Sequence, residues 1–275
     1  GGAKGAKAQA IDYTSLQELF GQPVTTSANG SPQKESEVPL NMDIITAEEI
    51  SKTGARSIPE VLRRVPGVTV RRHTFGQYEV SIRGYNQLNA ERILVLLNGR
   101  QVYLDYFGQV NWENIPVEMS EIKQVEVVKG PNTALFGFNA VSGVVNIITY
   151  NPLYDDVGKL ELRGGTNDLT EASVVKTFKF GDRAGTRISA GGFDAAEFKE
   201  YSDLYNVVEE DVSRRSALID TWFQLTDNVQ FQFEASRNDY VRNEEIVTRT
   251  ASSVDYETTS IRGRILADTD LGLWE

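Results

Sequence analysis

Two different patterns of apolar and polar residues meet near residue 152 of the chain. Before this point the apolar residues form short continuous runs such as Ile93–Leu97, which are typical of strands buried on both faces. After it, apolar and polar residues alternate over long stretches, as in Val229 to Ser236; this period of two is typical of strands with two different faces. The change predicts a small α+β domain followed by an antiparallel sheet of long strands.

Two short helices are predicted in the first part. Thr46 and Glu49 have the spacing of a capping box, in which each side chain bonds a free amide at the helix start. Gly54 is suited to ending this helix. Ser57-Ile58-Pro59-Glu60 repeats the capping device and places a proline in the first turn of the second helix, which Pro66-Gly67 ends.

Short β-branched and apolar runs around these helices predict strands. Asn98-Gly99 directly after Ile93–Leu97 predicts a hairpin with a type I′ turn. The stretch Val125 to Thr149 is interpreted as a strand, a Gly130-Pro131 stop, a glycine-rich elbow and a second strand. The predicted strands are Ile44-Ile45, Val68–Val70, Val80–Gly84, Ile93–Leu97, Arg100–Leu104, Val125–Val128 and Val144–Ile148.

Six longer strands are predicted in the second part, at about 158–166, 169–181, 185–194, 213–225, 228–240 and 256–268. Tight turns alternate with long acidic loops at 195–212 and 241–255, an arrangement typical of outer-membrane β-barrels. A soluble β-meander has the same alternation, but several runs reach the roughly 9–11 residues that cross a bilayer. Since small closed barrels need about eight strands and residues 271–275 resemble the start of another, we expect the chain to be the front part of a longer protein.

Composition and charge exclude several classes of function. The chain has no cysteine and one histidine, His73, so thiol chemistry and multi-histidine metal sites are not available. Residues 1–150 carry 15 acidic and 14 basic residues, whereas residues 151–275 carry 24 acidic and 14 basic ones. An acidic chain without a basic stripe argues against nucleic-acid binding. No cofactor is predicted.

Three motifs in order resemble the plug domain of TonB-dependent outer-membrane receptors. The first is Ile58 to Arg64 followed by Val65-Pro66-Gly67-Val68. The second is Ile82-Arg83-Gly84 with Val95 to Arg100, and the third is the whole stretch Val125 to Thr149. The resemblance implies a flexible segment at 1–37, an α+β plug domain at 38–152 and the first six or so transmembrane strands of a large plugged barrel at 153–275.

The resemblance also implies a function. Members of this family lie in outer-membrane lipid and import scarce, bulky solutes such as iron siderophores, haem, cobalamin or sugars. The TonB protein supplies energy by gripping an extended box near the N-terminus, through β-strand addition. We expect this box at Pro23, Val24, Thr25, Thr26, Ser27 and Ala28, where Pro, Ser and Thr are expected to keep the segment from folding elsewhere.

Two cations occupy positions where the family usually has arginines that pair with barrel glutamates and lock the plug. These are Arg83 and Lys129. Lys129 departs from the family pattern, because lysine lacks the two-pronged geometry of a guanidinium. The resemblance therefore implies a lock at both positions, with a weaker one at Lys129.

Loops of the plug that face outward contact the solute in this family. By hairpin geometry the candidate segments are 73–78, 86–89 and 103–112, and aromatic side chains there offer contact area at low entropic cost. Packing of these aromatics against the barrel wall is an equal alternative. The predicted solute-binding residues are Tyr78, Asn86, Gln87, Asn89, Tyr103, Tyr106, Phe107, Gln109 and Trp112.

Three functions follow from these observations. The first is a TonB-dependent importer. The second is a surface-binding or signal-sensing receptor of the same fold, although residues 1–22 are too few for the extra signalling domain of family transducers. The third is a soluble β-rich enzyme. Glycosidase chemistry needs two facing carboxylates, and pairs such as Glu209-Glu210 lie in acidic loops typical of solvated surface. We therefore predict a non-enzymatic importer.

Overall fold

The structure is a computed structural model that describes residues 12–13, 17, 19, 22–25, 33–34, 41–82, 93–102, 110–130, 142–199, 211–245, 251–269 and 272–274. These residues form two parts. An N-terminal domain spans residues 41–150, and a sheet of long strands, here called the wall sheet, follows from residue 158. No helix in the described ranges is long and apolar enough to cross a membrane.

The N-terminal domain is built on a five-stranded sheet of order β3-β8-β9-β6-β7. All neighbours are antiparallel except β6 and β9, which are parallel. Separate two-stranded ribbons are formed by β1 with β2 and by β4 with β5. The elements are β1 (Val24–Thr25), β2 (Gln33–Lys34), β3 (Met42–Thr46), α1 (Ala47–Thr53), α2 (Ile58–Leu62), β4 (Val68–Arg72), β5 (Tyr78–Ile82), β6 (Ile93–Leu97), β7 (Arg100–Gln101), two 3-10 turns at Trp112–Asn114 and Met119–Glu121, β8 (Ile122–Lys129) and β9 (Gly143–Thr149).

The core of this domain forms where the continuous apolar runs meet. All five residues of Ile93–Leu97 are buried, as the sequence predicts. Asn98 and Gly99 have φ angles of 51° and 79°, which confirms the predicted type I′ turn between β6 and β7. Gly143 at the start of β9 is needed for close approach, because a Cβ there would lie 2.6 Å from the carbonyl oxygen of Val128.

The two helix starts differ from each other. The capping box of Thr46 and Glu49 is present, and Gly54 ends α1 in the left-handed conformation. The predicted second box is wrong, since Ser57 makes no side-chain capping bond. Pro59 removes one of the amides that an N-cap serine bonds, and Glu60 Oε2 instead accepts from the backbone amide of Arg56 at 2.8 Å.

The wall sheet contains seven strands in sequential antiparallel order. The six predicted strands are confirmed, and a seventh begins at Gly272. The predicted loop bounds are wrong, because β12 to β15 run further and leave only residues 197–210 and 246–250 between them. The strands are β10 (Gly158–Gly164), β11 (Thr170–Lys179), β12 (Ala184–Ala196), β13 (Asp211–Thr226), β14 (Val229–Glu245), β15 (Ala251–Thr269) and β16 (Gly272–Trp274).

The two faces of the wall sheet have opposite chemistry. Its outer face carries exposed apolar side chains, including Leu160, Leu162, Ile261 and Ile265. Its inner face packs on the N-terminal domain and is polar, with buried Arg187, Asp220, Gln232, Glu234 and Asn238. A polar inside and an apolar outside is the pattern of a barrel strand in a membrane.

Candidate functional site

The inner face of the wall sheet and the N-terminal domain meet along a seam of buried charges. Arg187 of β12 contacts Glu121 at 3.0 Å and Asp220 at 3.5 Å, and all three side chains are at most 3 % exposed. Arg214 of β13 contacts Glu118 at 2.8 Å. Buried charges are tolerated only when they are paired in this way. The Arg187–Glu121 and Arg214–Glu118 pairs join the two parts of the chain, whereas Asp220 lies in β13 of the wall sheet itself.

Additional bonds fix these arginines in place. Arg187 also donates to the backbone oxygen of Tyr150, and Arg214 donates to that of Val117 at 3.2 Å. Gly191 lets Glu118 approach the wall, because a Cβ at this position would lie 2.6 Å from Glu118 Oε2. Burial raises the pKa of the Glu121 carboxyl, and the charge of Arg187 opposes this shift.

These seam pairs reverse the arrangement expected for the lock. The acidic partners Glu118 and Glu121 lie in the N-terminal domain, and the arginines lie in the wall. Lys129 does not contact the described wall: its ammonium lies 2.6 Å from Asp43 of β3 and 3.2 Å from the backbone oxygen of Pro66. The predicted pairing of Lys129 with a barrel glutamate is therefore not what the described residues show, since β3 lies beside β8 and supplies a nearer carboxylate. Arg83 lies outside the described residues.

One arginine of the N-terminal domain does reach a wall glutamate. Arg100 of β7 contacts Glu234 of β14 at 3.3 Å and donates to Ser260 of β15 at 3.2 Å. The sequence signal for all the seam contacts was the alternation of the wall strands. It placed Arg187, Arg214 and Glu234 opposite the apolar face, but it could not say which residues they meet.

The tip of the β4–β5 hairpin is bonded to the wall near the C-terminal ends of β12 and β14. Thr74 donates to the backbone oxygen of Asn243 at 2.8 Å, and the amide of Phe75 donates to Glu197 at 2.7 Å. Gln77 exchanges two bonds with the backbone of Glu245, at 3.1 and 2.8 Å. Tyr240 donates to the backbone oxygen of Gly76 at 2.7 Å.

Aromatic and cationic side chains fill the space behind this tip. The Phe75 ring lies 5.9 Å from Phe193 and 5.7 Å from Phe198, and the Arg56 guanidinium lies 4.6 Å from the Phe193 ring centre. His73 bridges the two parts of the chain, with Glu79 at 3.0 Å and Glu245 at 3.5 Å from its ring nitrogens. The predicted solute loop at 73–78 is thus joined to the wall.

Two of the predicted solute-binding residues are packed in the core. Tyr78 is 5 % exposed and Trp112 is 4 % exposed, so packing rather than solute contact accounts for both. Burial also raises the pKa of the Tyr78 phenol, which keeps it neutral and able to donate to Glu60 at 3.2 Å. The other predicted residues, Asn86, Gln87, Asn89, Tyr103, Tyr106, Phe107 and Gln109, lie outside the described residues.

The predicted TonB box is paired in this structure. Val24 and Thr25 are fully buried and pair with Lys34 and Gln33 of β2. Gln124 of β8 donates to the backbone oxygen of Val24 at 2.9 Å. The prediction that this segment would stay unpaired is therefore wrong for these two residues, because β2 and Gln124 satisfy its backbone. Pro23 is half-buried, and residues 26–28 lie outside the described ranges.

A cavity of about 200 Å³ lies on the seam between β7, the first 3-10 turn and β15. Its polar lining includes Arg100, Asn111, Asn114, Thr258 and Ser260. Among the described residues there is no group of three or more His, Cys, Asp or Glu side chains that could hold a metal ion. The arrangement as a whole can hold a folded domain against the wall sheet and leave between them a cavity lined by both polar and apolar side chains.

Comparison with known proteins identifies the N-terminal domain. Residues 34–144 match the family model of the TonB-dependent receptor plug domain. The chain is 32 % identical over 196 residues to the vitamin B12 transporter BtuB of Vibrio vulnificus, covering 70 % of this chain and 31 % of that protein. It is 31 % identical to BtuB of Photobacterium profundum, covering 68 % and 32 %. The chain thus spans about a third of the length of these relatives.

Solved structures share the fold over nearly the whole chain. The ferripyoverdine receptor FpvA of Pseudomonas aeruginosa, bound to iron and a heterologous pyoverdine, superposes with a TM-score of 0.71 at 16 % identity, covering 90 % of this chain and 34 % of that one. The alcaligin outer-membrane receptor FauA of Bordetella pertussis gives a TM-score of 0.69 at 17 % identity, covering 90 % and 40 %. At these identities the likeness establishes the fold.

Proposed function

Because this chain belongs to the TonB-dependent receptors, with a plug domain followed by strands of an outer-membrane β-barrel, we propose that the protein takes up a scarce, bulky solute into the periplasm with energy delivered through TonB. The observation that carries this proposal is the seam: the plug domain covers the polar inner face of the wall sheet through buried ion pairs. A wall with a polar lining and a fitted plug is suited to a gated passage rather than to catalysis.

We propose the segment Pro23 to Ala28 as the contact for TonB. An extended segment can add a strand to the edge of a partner sheet, using its backbone bonds for affinity. In this structure β2 occupies the edge of Val24–Thr25, so TonB would have to displace β2 in order to pair there. Among the described residues, the β1–β2 ribbon has two residue pairs to displace.

The solute is proposed as a class. Relatives similar to this chain are named for vitamin B12, and structural neighbours are named for an iron complex of pyoverdine and for alcaligin. Cobalamin, a ferric siderophore, haem or a sugar are the candidates. Seven predicted residues remain proposed solute contacts: Asn86, Gln87, Asn89, Tyr103, Tyr106, Phe107 and Gln109.

Uptake measured with and without TonB tests this proposal. The full-length receptor is expressed in a bacterial host lacking its own receptors, and accumulation of labelled cyanocobalamin, ferric siderophores, haem and oligosaccharides is followed. One solute is expected to accumulate only when TonB is present. A solute that binds but never accumulates would favour a surface-binding or sensing receptor, and a panel in which nothing binds or accumulates contradicts both readings.

A further inference from the structure

The cavity on the seam contains an asparagine whose amide has no partner. Asn111 is 5 % exposed, it lines the cavity, and neither its Nδ2 nor its Oδ1 makes a hydrogen bond in the described structure. A buried polar group without a partner destabilises the fold, and buried polar groups are normally bonded. The amide therefore has one donor group and one acceptor available in a space large enough for another group.

Two other polar residues of the lining, Asn114 and Arg100, make bonds across the seam. Asn114 donates to Thr258 at 3.0 Å and accepts from Asn238 at 2.7 Å. Arg100 donates to Ser260 at 3.2 Å. These contacts fix the side chains before anything enters, which lowers the ordering entropy that a bound group must overcome.

The electrostatic character of the cavity is neutral. The positive charge of Arg100 is matched by Glu234 at 3.3 Å, and the other polar residues described in the lining are amides and hydroxyls. A charged group of either sign would enter beside an ion pair that is already matched, with Arg100 in the lining and its partner Glu234 outside the lining. Since desolvating an unmatched charge is costly, the lining favours a neutral polar group.

We propose that this cavity binds a neutral carboxamide arm of the transported solute, with Asn111 as its specificity-determining contact. The proposal rests on the proposed uptake function. An asparagine amide presents N–H and C=O side by side, so a second carboxamide can pair with it through two hydrogen bonds. A carboxylate offers only acceptors and would leave Asn111 Oδ1 unpaired.

The position of the cavity agrees with this assignment. Val102 and Val110 both line it, and they flank the segment 103–109, where the sequence predicts solute contacts. Its wall side is formed by Thr258 and Ser260, about midway along β15. A cavity of about 200 Å³ accommodates a side arm and not a whole bulky solute, which implies that the remainder of the solute binds elsewhere.

Equilibrium binding to the full-length receptor in detergent tests the proposal. The probe is cyanocobalamin, whose corrin ring carries several primary carboxamides. The variants are Asn111→Leu, which removes the amide at similar volume, and Asn111→Asp, which keeps the shape but replaces the donor with a charge. Both are expected to weaken binding about tenfold, the effect of losing one or two hydrogen bonds. Asn228→Asp is the matched control, in an exposed turn remote from the seam, and should bind like the parent.

Thermal stability separates a binding role from a structural one. Because Asn111 has no bond to lose, Asn111→Leu is expected to melt at the same temperature as the parent or higher. Weakened binding with unchanged or increased stability supports the proposal. Equal binding by parent and variants overturns it, as does a loss of binding that follows a loss of stability in both variants.

A measurement on the parent receptor needs no variant. The separately purified monocarboxylic acids of cyanocobalamin each replace one carboxamide with a carboxylate, and at least one is expected to bind about tenfold more weakly than the parent vitamin, the effect of losing one or two hydrogen bonds. If the receptor takes up a solute without carboxamides and ignores cyanocobalamin, the subsite proposal is wrong while the uptake function stands. If no solute is taken up in a TonB-dependent manner, the uptake function itself fails.

Discussion

A single hydrogen atom at Gly76 determines how closely the β4–β5 hairpin approaches the wall. A Cβ at this position would lie 2.0 Å from the hydroxyl oxygen of Tyr240, whose side chain is fully buried and cannot easily move away. The same hydroxyl donates to the backbone oxygen of Gly76. The Tyr240 hydroxyl oxygen that bonds to Gly76 is therefore also the atom with which a Cβ at this position would clash.

We expect Gly76→Ala to destabilise the folded receptor by about 1–3 kcal/mol, the usual range for overpacking. Urea unfolding of the full-length receptor measures this change. Gly263→Ala is the control, because its nearest neighbour to a new Cβ lies 3.9 Å away, and it should be neutral. Tyr240→Phe removes the clashing oxygen, so the double variant should lose less stability than the sum of the two single changes; simple additivity would contradict the steric account.

Burial decides how much each arginine of the wall contributes to the stability of the folded protein. Arg187 and its partner Glu121 are at most 1 % exposed, whereas Arg183 and Asp227 are 66 % and 90 % exposed. Removing one partner of a buried pair leaves an uncompensated charge and costs about 3–5 kcal/mol. Exposed pairs are screened by water.

Arg187→Met is therefore expected to lower the free energy of unfolding by about 3–5 kcal/mol, and Arg183→Met should leave it unchanged. Each variant removes one guanidinium, at Arg187 from β12 and at Arg183 from the turn that precedes it. If they lose equal stability, the seam pair does not hold the two parts together. Unfolding followed by fluorescence of the native tryptophans gives the comparison.

At the scale of elements, the pairing of β1 with β2 bears on how TonB would bind the receptor, because TonB is proposed to pair with β1 in place of β2. Proline has no backbone donor and cannot continue a strand ladder. We expect Val24→Pro to reduce TonB-dependent uptake to background while leaving solute binding intact. Gln33→Pro changes the facing strand β2 and should keep uptake. Equal loss in both variants would indicate that the ribbon itself, and not strand addition by TonB, is required.

The elements themselves could be predicted from the sequence far better than their partners. Alternation specified six wall strands, and the run Ile93–Leu97 with Asn98-Gly99 specified a buried hairpin, because these signals are local. The docking of Val24 against Gln124 and of Lys129 against Asp43 was missed. Both contacts depend on which segments lie side by side. The periodic pattern of apolar and polar residues is local, so it does not show which residues about 100 positions apart along the chain will meet.

The candidate site was predictable to the same degree. The sequence identified the segment 73–78, which contacts the wall, but it assigned Tyr78 and Trp112 to solute contact when both are core residues. An aromatic side chain suits either role, and only its neighbours decide. The seam pairs of Arg187 and Arg214 were missed because alternation shows that a side chain points inward without showing what opposes it.

For the whole molecule, the seam pairs imply that the N-terminal domain is retained by a few buried contacts. We expect the double variant Arg187→Met/Arg214→Met of the full-length receptor to form open pores in planar bilayers at lower urea concentrations than the parent. The reason is that Glu118 and Glu121 lose the arginines that pair with their charges. Arg183→Met/Arg215→Met removes two exposed pairs and should open at the parental concentration. If pore opening depends on urea concentration in the same way for both double variants, the seam pairs do not retain the N-terminal domain.

The parallel pairing of β6 with β9 has a consequence for assembly. It joins strands about 50 residues apart, and such nonlocal contacts form slowly. Yet every strand of the five-stranded sheet lies between Met42 and Thr149, ahead of the first wall strand at Gly158. Chain order therefore allows the N-terminal domain to fold before the wall strands are synthesised. The wall strands would then pack onto an already folded domain, where the carboxylates that pair with Arg187 and Arg214 are in place.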